Sequence, residues 1–310
     1  MQYDGMENNP DRIIPDPYVF MNDEGMRMCV NVITASRPNY LYVCLDGIFR
    51  NTVFQSDDLN TPDVYVYVDV MPGGKSYAPE ILKVVSEFPV RGVFINKQHK
   101  GIAAGFWDSF SDAFDSGYDF CVSIEEDWLI TTDALQWLYN VPKVAAHYSL
   151  YRWTDKIKET PADYDCLCSD GDGYTRCHRG KYLSWCSAFT KHSFEFIHGI
   201  IKAGGLWGLL PPDLSMENLQ RIKYADWDRA LRPILEKYEL LTMIPPVSLL
   251  AHFGSQTCQY WGYGDKGDCH DLIFGDDRTQ WLENLIQMFR VTTDEEKEKF
   301  SFRPFDFEYR

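Results

Sequence analysis

The sequence predicts an α/β domain built on a mostly parallel sheet flanked by helices. Three observations predict it. Continuous apolar runs of strand length recur along the first half, at Met28 to Thr34, Val64 to Val70 and Tyr118 to Ile124. Segments with helical spacing of apolar residues separate them. Charged residues then cluster where the runs stop. Unbroken apolar runs suit strands buried on both faces, and strand–helix alternation implies parallel pairing with right-handed crossovers.

The elements follow in order. Residues 1–26 are polar, acidic and proline-containing, and read as a loosely ordered arm. MCVNVIT, ending at Thr34, is the first strand. Ala35-Ser36-Arg37-Pro38 breaks it, and Pro38 suits the first turn of a helix reaching about Phe49, with Leu41, Cys44, Leu45 and Ile48 on one face. VYVYVDV is the second strand, stopped by Pro72-Gly73-Gly74. Ala78 to Phe88 is helical, and Val90 to Ile95 is a third strand. Lys100-Gly101 opens a helix from about Ile102 to Asp115, with Ala103, Phe106, Phe110 and Phe114 inward. Tyr118 to Ile124 is the fourth strand, and Glu125-Glu126-Asp127 follow directly.

The second half is less regular. Thr132 to Tyr139 reads as a helix, Asp163 to Gly180 as a long loop, Tyr182 to Phe189 as a strand and Lys191 to Ala203 as a helix. Ser215 to Lys237 reads as mostly helical. Val247 to Ala251 is an apolar strand ending at His252. Thr279 to Arg290 is a final amphipathic helix before a charged tail.

Composition narrows the function. A formal net charge of −16 disfavours nucleic acid and anionic membrane as bulk partners. No stretch of about 18 apolar residues offers a transmembrane helix, and the N-terminal residues have neither signal-peptide nor transit-peptide character. Nine cysteines, an odd number, with several in apolar runs, fit reduced thiols in a cytoplasmic setting. Cys166, Cys168, Cys177 and His178 form Cys-x-Cys-x8-Cys-His, which departs from the usual zinc spacing. Unpaired thiols or a local disulfide are the plainer readings.

In open α/β sheets ligands bind outside the carboxyl ends of the strands. Arg37, Asp69, Lys100 and Glu125-Glu126-Asp127 all lie at or just past such ends. Three consecutive carboxylates after a buried strand are costly unless a cation offsets them, and hard cations prefer oxygen ligands. The plain alternative is a solvated acidic turn. No G-x-G-x-x-G follows the first strand, so a dinucleotide fingerprint is absent.

This order of elements resembles the GT-A glycosyltransferases over about residues 28–255. They share the strand, the Ser-Arg-Pro turn, the strand ending in Asp, the Lys-Gly helix and the strand into an acidic motif. Glu125-Glu126-Asp127 looks like their D-x-D-type motif, and is similar in position to the E-D-D triplet of N-glycan N-acetylglucosaminyltransferases. Ala225-Asp226-Trp227-Asp228-Arg229 resembles the E-D-x-D-x-x-x-R region of family 2-like inverting enzymes, with Ala225 where an acidic residue is usual.

The resemblance implies a GT-A, Rossmann-like domain at 27–275. Residues 27–155 would bind the nucleotide sugar and a smaller mixed half, 156–275, the acceptor; 276–310 is a C-terminal helix and tail. It implies a divalent cation, Mn²⁺ or Mg²⁺, on Asp127, with His252 completing the metal site. Glu126 would meet the ribose, and Glu125 would position backbone or donor sugar. Thr34, Ser36 and Arg37 would wrap base and diphosphate, Asp69 would meet the base, and Lys100 with Gly101 would line the donor pocket. Asp226 would be the general base of an inverting transfer, with Asp228 its rival. Trp207, Trp261 and Tyr263 are candidate sugar-stacking residues. The implied partners are a nucleotide-diphospho sugar, UDP-linked by first choice, and a glycan or glycoconjugate acceptor. The alternatives are a sugar-phosphate nucleotidyltransferase and a non-catalytic nucleotide-sugar or glycan binder. A retaining transferase, needing no base, is a further variant.

Overall fold

The computed structural model describes residues 25–55, 61–150, 176–179, 186–202, 227–245 and 249–252. Strand β1 (Met28–Thr34) leads into helix α1 (Pro38–Phe49), and β2 (Asp63–Val68) into α2 (Ala78–Val85). Strand β3 (Gly92–Ile95) leads into α3 (Ile102–Asp115), and β4 (Phe120–Glu125) into the short β5 (Trp128–Ile130) and α4 (Ala134–Asn140). Then come β6 (His147–Ser149), β7 (Arg176–Arg179), β8 (Ser187–Thr190), α5 (Lys191–Lys202), α6 (Trp227–Lys237), β9 (Leu241–Ile244) and β10 (Leu250–His252).

Eight strands form one sheet in the order β3-β2-β1-β4-β8-β6-β9-β7. The first four are parallel neighbours, as the apolar runs implied. Strand β8 is antiparallel to β4 and β6, β9 is parallel to β6, and β7 is antiparallel to β9. The sheet is therefore mostly parallel, with the reversals confined to its second half. A separate ribbon pairs β10 with β5, antiparallel.

Side-chain alternation builds a core on each face. Met28, Val30 and Val32 of β1 join Phe120, Val122 and Ile124 of β4 under α1, α2 and α4. Cys29, Ile33 and Cys121 face the other way, against Phe106, Phe110 and Phe114 of α3 and Phe194 of α5. One polar residue interrupts β1. Asn31 is fully buried and donates to the Ser109 carbonyl at 2.7 Å, tying β1 to α3.

Several expectations change. Arg176–Arg179 is a strand, inside a stretch read as loop; pairing with β9 supplies order that its composition does not signal. Met26, assigned to the arm, is buried in the core. The strand expected over Tyr182 to Phe189 is described only at Ser187–Thr190. The segments β5, β6 and β9 are three or four residues long and had no sequence signal of their own. The final helix and the tail lie outside the described residues. Among the described residues, no helix is long and apolar enough to cross a membrane.

Candidate functional site

The ladder between neighbouring strands continues one residue past their ends and aligns the candidate residues. Asp69 N–H donates to the Thr34 carbonyl at 2.8 Å, Asn96 N–H to that of Val68 at 2.9 Å, and Glu126 N–H to that of Ile33 at 3.1 Å. Thr34, Asp69, Asn96 and Glu126 thus form a row along the carboxyl ends of β1 to β4.

Arg37 closes over one end of this row. It is the residue before Pro38, at the mouth of α1. Its Nε donates to Glu126 Oε1 at 2.8 Å, and its Nη2 lies 2.8 Å from the same oxygen and 3.0 Å from Asp127 Oδ2. The guanidinium also stands 4.8 Å over the ring of Tyr40, a buried residue one turn into α1. Both carboxylates are buried, Glu126 at 6% and Asp127 at 3% exposure. Burial disfavours the Arg37 charge, but Glu126 and Asp127 outweigh it and hold its pKa well above the ordinary value. Burial pushes the Glu126 carboxyl up, and the Asp127 charge adds to this, while Arg37 opposes it. Glu125, half-buried, is the last residue of β4.

Asp69 forms a second knot. Its Oδ1 accepts from Asn96 Nδ2 at 3.0 Å and from Lys100 N–H at 3.1 Å. Its Oδ2 accepts from Gly101 N–H at 2.9 Å, with His99 Nδ1 at 3.1 Å. The hydrogen bond of His99 Nδ1 itself goes to the Val70 carbonyl at 2.6 Å. Asp69 therefore ties residues 96–101 to the strand ends. Gly101, at φ +83°, takes a left-handed turn that a side chain would strain, and α3 starts behind it.

The remaining candidates separate. Lys100 Nζ pairs with Asp108 Oδ2 on α3 at 2.5 Å, and this hydrogen bond raises its pKa. Ser36 is half-buried in the turn between β1 and α1. Thr34 is buried at the end of β1, and its hydroxyl has no hydrogen-bond partner among the described residues. His252 is brought to the acidic motif by the ribbon, its backbone in register with Trp128, the residue after Asp127. Asp226, Trp207, Trp261, Tyr263, Cys166 and Cys168 lie outside the described residues. Asp226 directly precedes α6. Cys177 and His178 are on β7, opposite Met243 and Thr242.

Sequence reasoning missed Tyr40, Asn96 and His99. Tyr40 had a signal, standing three residues after Arg37 and hence beside it on a helical turn. Asn96 and His99 flank the third strand end without a pattern of their own.

The donor set suits a hard cation in part. Two buried carboxylates stand side by side, already drawing positive charge from Arg37. Among the described residues, no group of three or more His, Cys, Asp or Glu could hold a metal ion. Two carboxylates with substrate phosphates and water completing the shell is a usual Mg²⁺-type arrangement.

No family model and no curated protein matches the sequence. Solved structures give distant likenesses. Staphylococcus aureus TarS 1-349 matches at 11% identity and a TM-score of 0.41, over 71% of this chain and 58% of that one. A mannosyltransferase of Pyrobaculum calidifontis, in complex with GDP-Man and Mn²⁺, matches at 15% and 0.35, over 66% and 54%. A cytidylyltransferase of Leptospira borgpetersenii matches at 14% and 0.33, over 64% and 75%. The chain thus spans little more than half of the first of these. The strand order itself gives a mostly parallel α/β sheet, with α1 and α2 on one face and α3 and α5 on the other.

Proposed function

We propose that the protein is a metal-dependent glycosyltransferase that moves a sugar from a nucleotide-diphospho sugar to a hydroxyl of a glycan or glycoconjugate, with inversion. One observation carries the reading: Thr34, Arg37, Glu126 and Asp127 converge at the carboxyl ends of adjacent parallel strands, where α/β sheets bind ligands. The GT-A resemblance of the sequence supplies the chemistry.

In this reading Asp127 and His252 would hold Mn²⁺ or Mg²⁺. Bound there, the cation supplies positive charge for the departing nucleoside diphosphate. Glu126 accepts a hydrogen bond from the ribose. Thr34 and Ser36 stand on the nucleotide side, and Arg37 adds positive charge near the phosphates. Asp69 serves the pocket through residues 96–101, and Lys100 stands at its rim. Asp226 takes the proton of the acceptor hydroxyl as that oxygen attacks the anomeric carbon. Residues 27–155 form the donor half and 156–275 the acceptor half.

A thermal-shift series with UDP, GDP, CDP and TDP, each with Mn²⁺, tests the donor site. Binding at about 100 times Kd stabilises by about 2.7 kcal/mol, which a melting curve resolves. UDP is expected to give the largest shift. No shift with any diphosphate would overturn the reading. Release of pyrophosphate from a nucleoside triphosphate would mark a nucleotidyltransferase instead, and binding without turnover would mark a non-catalytic binder.

A further inference from the structure

We propose that Arg37 is a built-in counter-cation for Glu126 and Asp127, which gives up Asp127 when a divalent ion binds there. The proposal rests on reading this cluster as the metal side of a donor site, and it adds a competition to that site.

The geometry has three parts. Arg37 reaches both carboxylates at once, at 2.8 Å and 3.0 Å. Both carboxylates are almost wholly buried, so their charge has little solvent to stabilise it. Arg37 supplies the compensating charge, and Tyr40 backs the guanidinium from the far side at 4.8 Å. A divalent ion seeking the Asp127 carboxylate therefore meets Arg37 already there.

Arg37 itself has somewhere to go. Its side chain is 22% exposed while those of Glu126 and Asp127 are at 9% and 5%. Its backbone lies in the turn that precedes α1. The head group can swing outward on its own stem without moving β4. The carboxylates, fixed by the Glu126 N–H bond to Ile33, stay in place. Without the ion the arginine keeps a charged pocket intact. With it, the pocket exchanges one cation for another, and the ion's net affinity is lowered by the work of removing the arginine.

The test uses Mn²⁺ alone, with no nucleotide or acceptor, so that failure of the donor reading does not mimic failure of this one. Mn²⁺ affinity is read by titration calorimetry and by the loss of the free-ion electron paramagnetic signal. Arg37→Gln is expected to bind Mn²⁺ roughly tenfold more tightly than the wild type, the size of a typical coupling between two ligands. Arg37→Lys keeps the charge but loses the fork, and is expected to fall between them. Adding Asp127→Asn to Arg37→Gln should abolish the gain. Arg50→Gln removes a cation that pairs with Asp46 in the last turn of α1 and should leave the affinity unchanged.

Equal or weaker Mn²⁺ binding by folded Arg37→Gln overturns the proposal, as does an equal gain in Arg50→Gln. If Arg37→Gln folds only with Mn²⁺ present, that rescue is itself the expected exchange. If it folds under neither condition, Arg37→Lys decides, and affinity equal to wild type overturns the proposal.

Discussion

Asp69 Oδ2 accepts the backbone N–H of Gly101 at 2.9 Å, joining the end of β2 to the turn that starts α3. With Asn96 and Lys100 on the same carboxylate, one side chain holds a whole segment in place. Replacing Asp69 with Ala would leave the buried Gly101 N–H and the half-buried Lys100 N–H without that acceptor. The expected loss is about 2–3 kcal/mol of stability, at about 1 kcal/mol or more for each unmatched donor. Amide hydrogen exchange at Lys100 and Gly101 should accelerate, while exchange inside β1 changes little. Unchanged protection at both amides would remove the loop-holding role.

Asp127 is the proposed metal ligand, and Asn there keeps the shape while removing the charge. Arg37 retains Glu126 in the variant, so the fold should survive. Transfer in the presence of Mn²⁺ should fall by about 100-fold or more, since a bound cation is worth several kcal/mol of transition-state charge. Chelation of the wild type should have a comparable effect, reversed by adding Mn²⁺. Turnover of Asp127→Asn near the wild-type level would sink the metal assignment.

How much of this was legible follows from range. Residues beside each other in sequence announced themselves: the apolar run of β4 ending in Glu125-Glu126-Asp127, and α3 at Ile102–Asp115 with its inward phenylalanines. The row of strand ends was legible because parallel pairing follows from alternation. What was hidden depends on contacts distant in sequence. Strand β7 exists through pairing with β9, and the segment carrying Cys177 and His178 reads as loop without that partner. The pairing of Asp69 with Asn96 and His99 likewise needs β2 and β3 to be adjacent. Arg37 was picked for the phosphates, yet its partners in the structure are Glu126 and Asp127 across β1 and β4.

Asp226 immediately precedes α6, whose Leu231, Ile234 and Leu235 are buried against α3 and α5. If it is the base, Asp226→Asn should lower kcat by about 10²–10⁴-fold, the usual range for general-base catalysis. Nucleoside diphosphate binding should hold near the wild-type value. Asp228→Asn should stay within a few-fold, because this reading gives the base role to Asp226 alone. A reversed pattern would move the base to Asp228. Retention of configuration in the product, read by NMR, would leave neither with that role.

His147 supplies a pH dependence unrelated to the site. It is fully buried between Ser187 Oγ at 2.9 Å and Thr242 Oγ1 at 3.2 Å, and burial lowers its pKa to about 3. The unfolded chain binds its proton near pH 6.5 and the folded one only near pH 3. Between these values the unfolded state carries more protons, so stability rises with pH. The contribution is complete above about pH 6.5 and is lost as pH falls toward 3, on the order of 5 kcal/mol in all. His147→Gln keeps a polar, hydrogen-bonding side chain without the titration. Urea unfolding at pH 7 and pH 4.5 should then show a smaller drop in the variant than in the wild type. Equal drops would mean that His147 is not what makes the fold acid-sensitive.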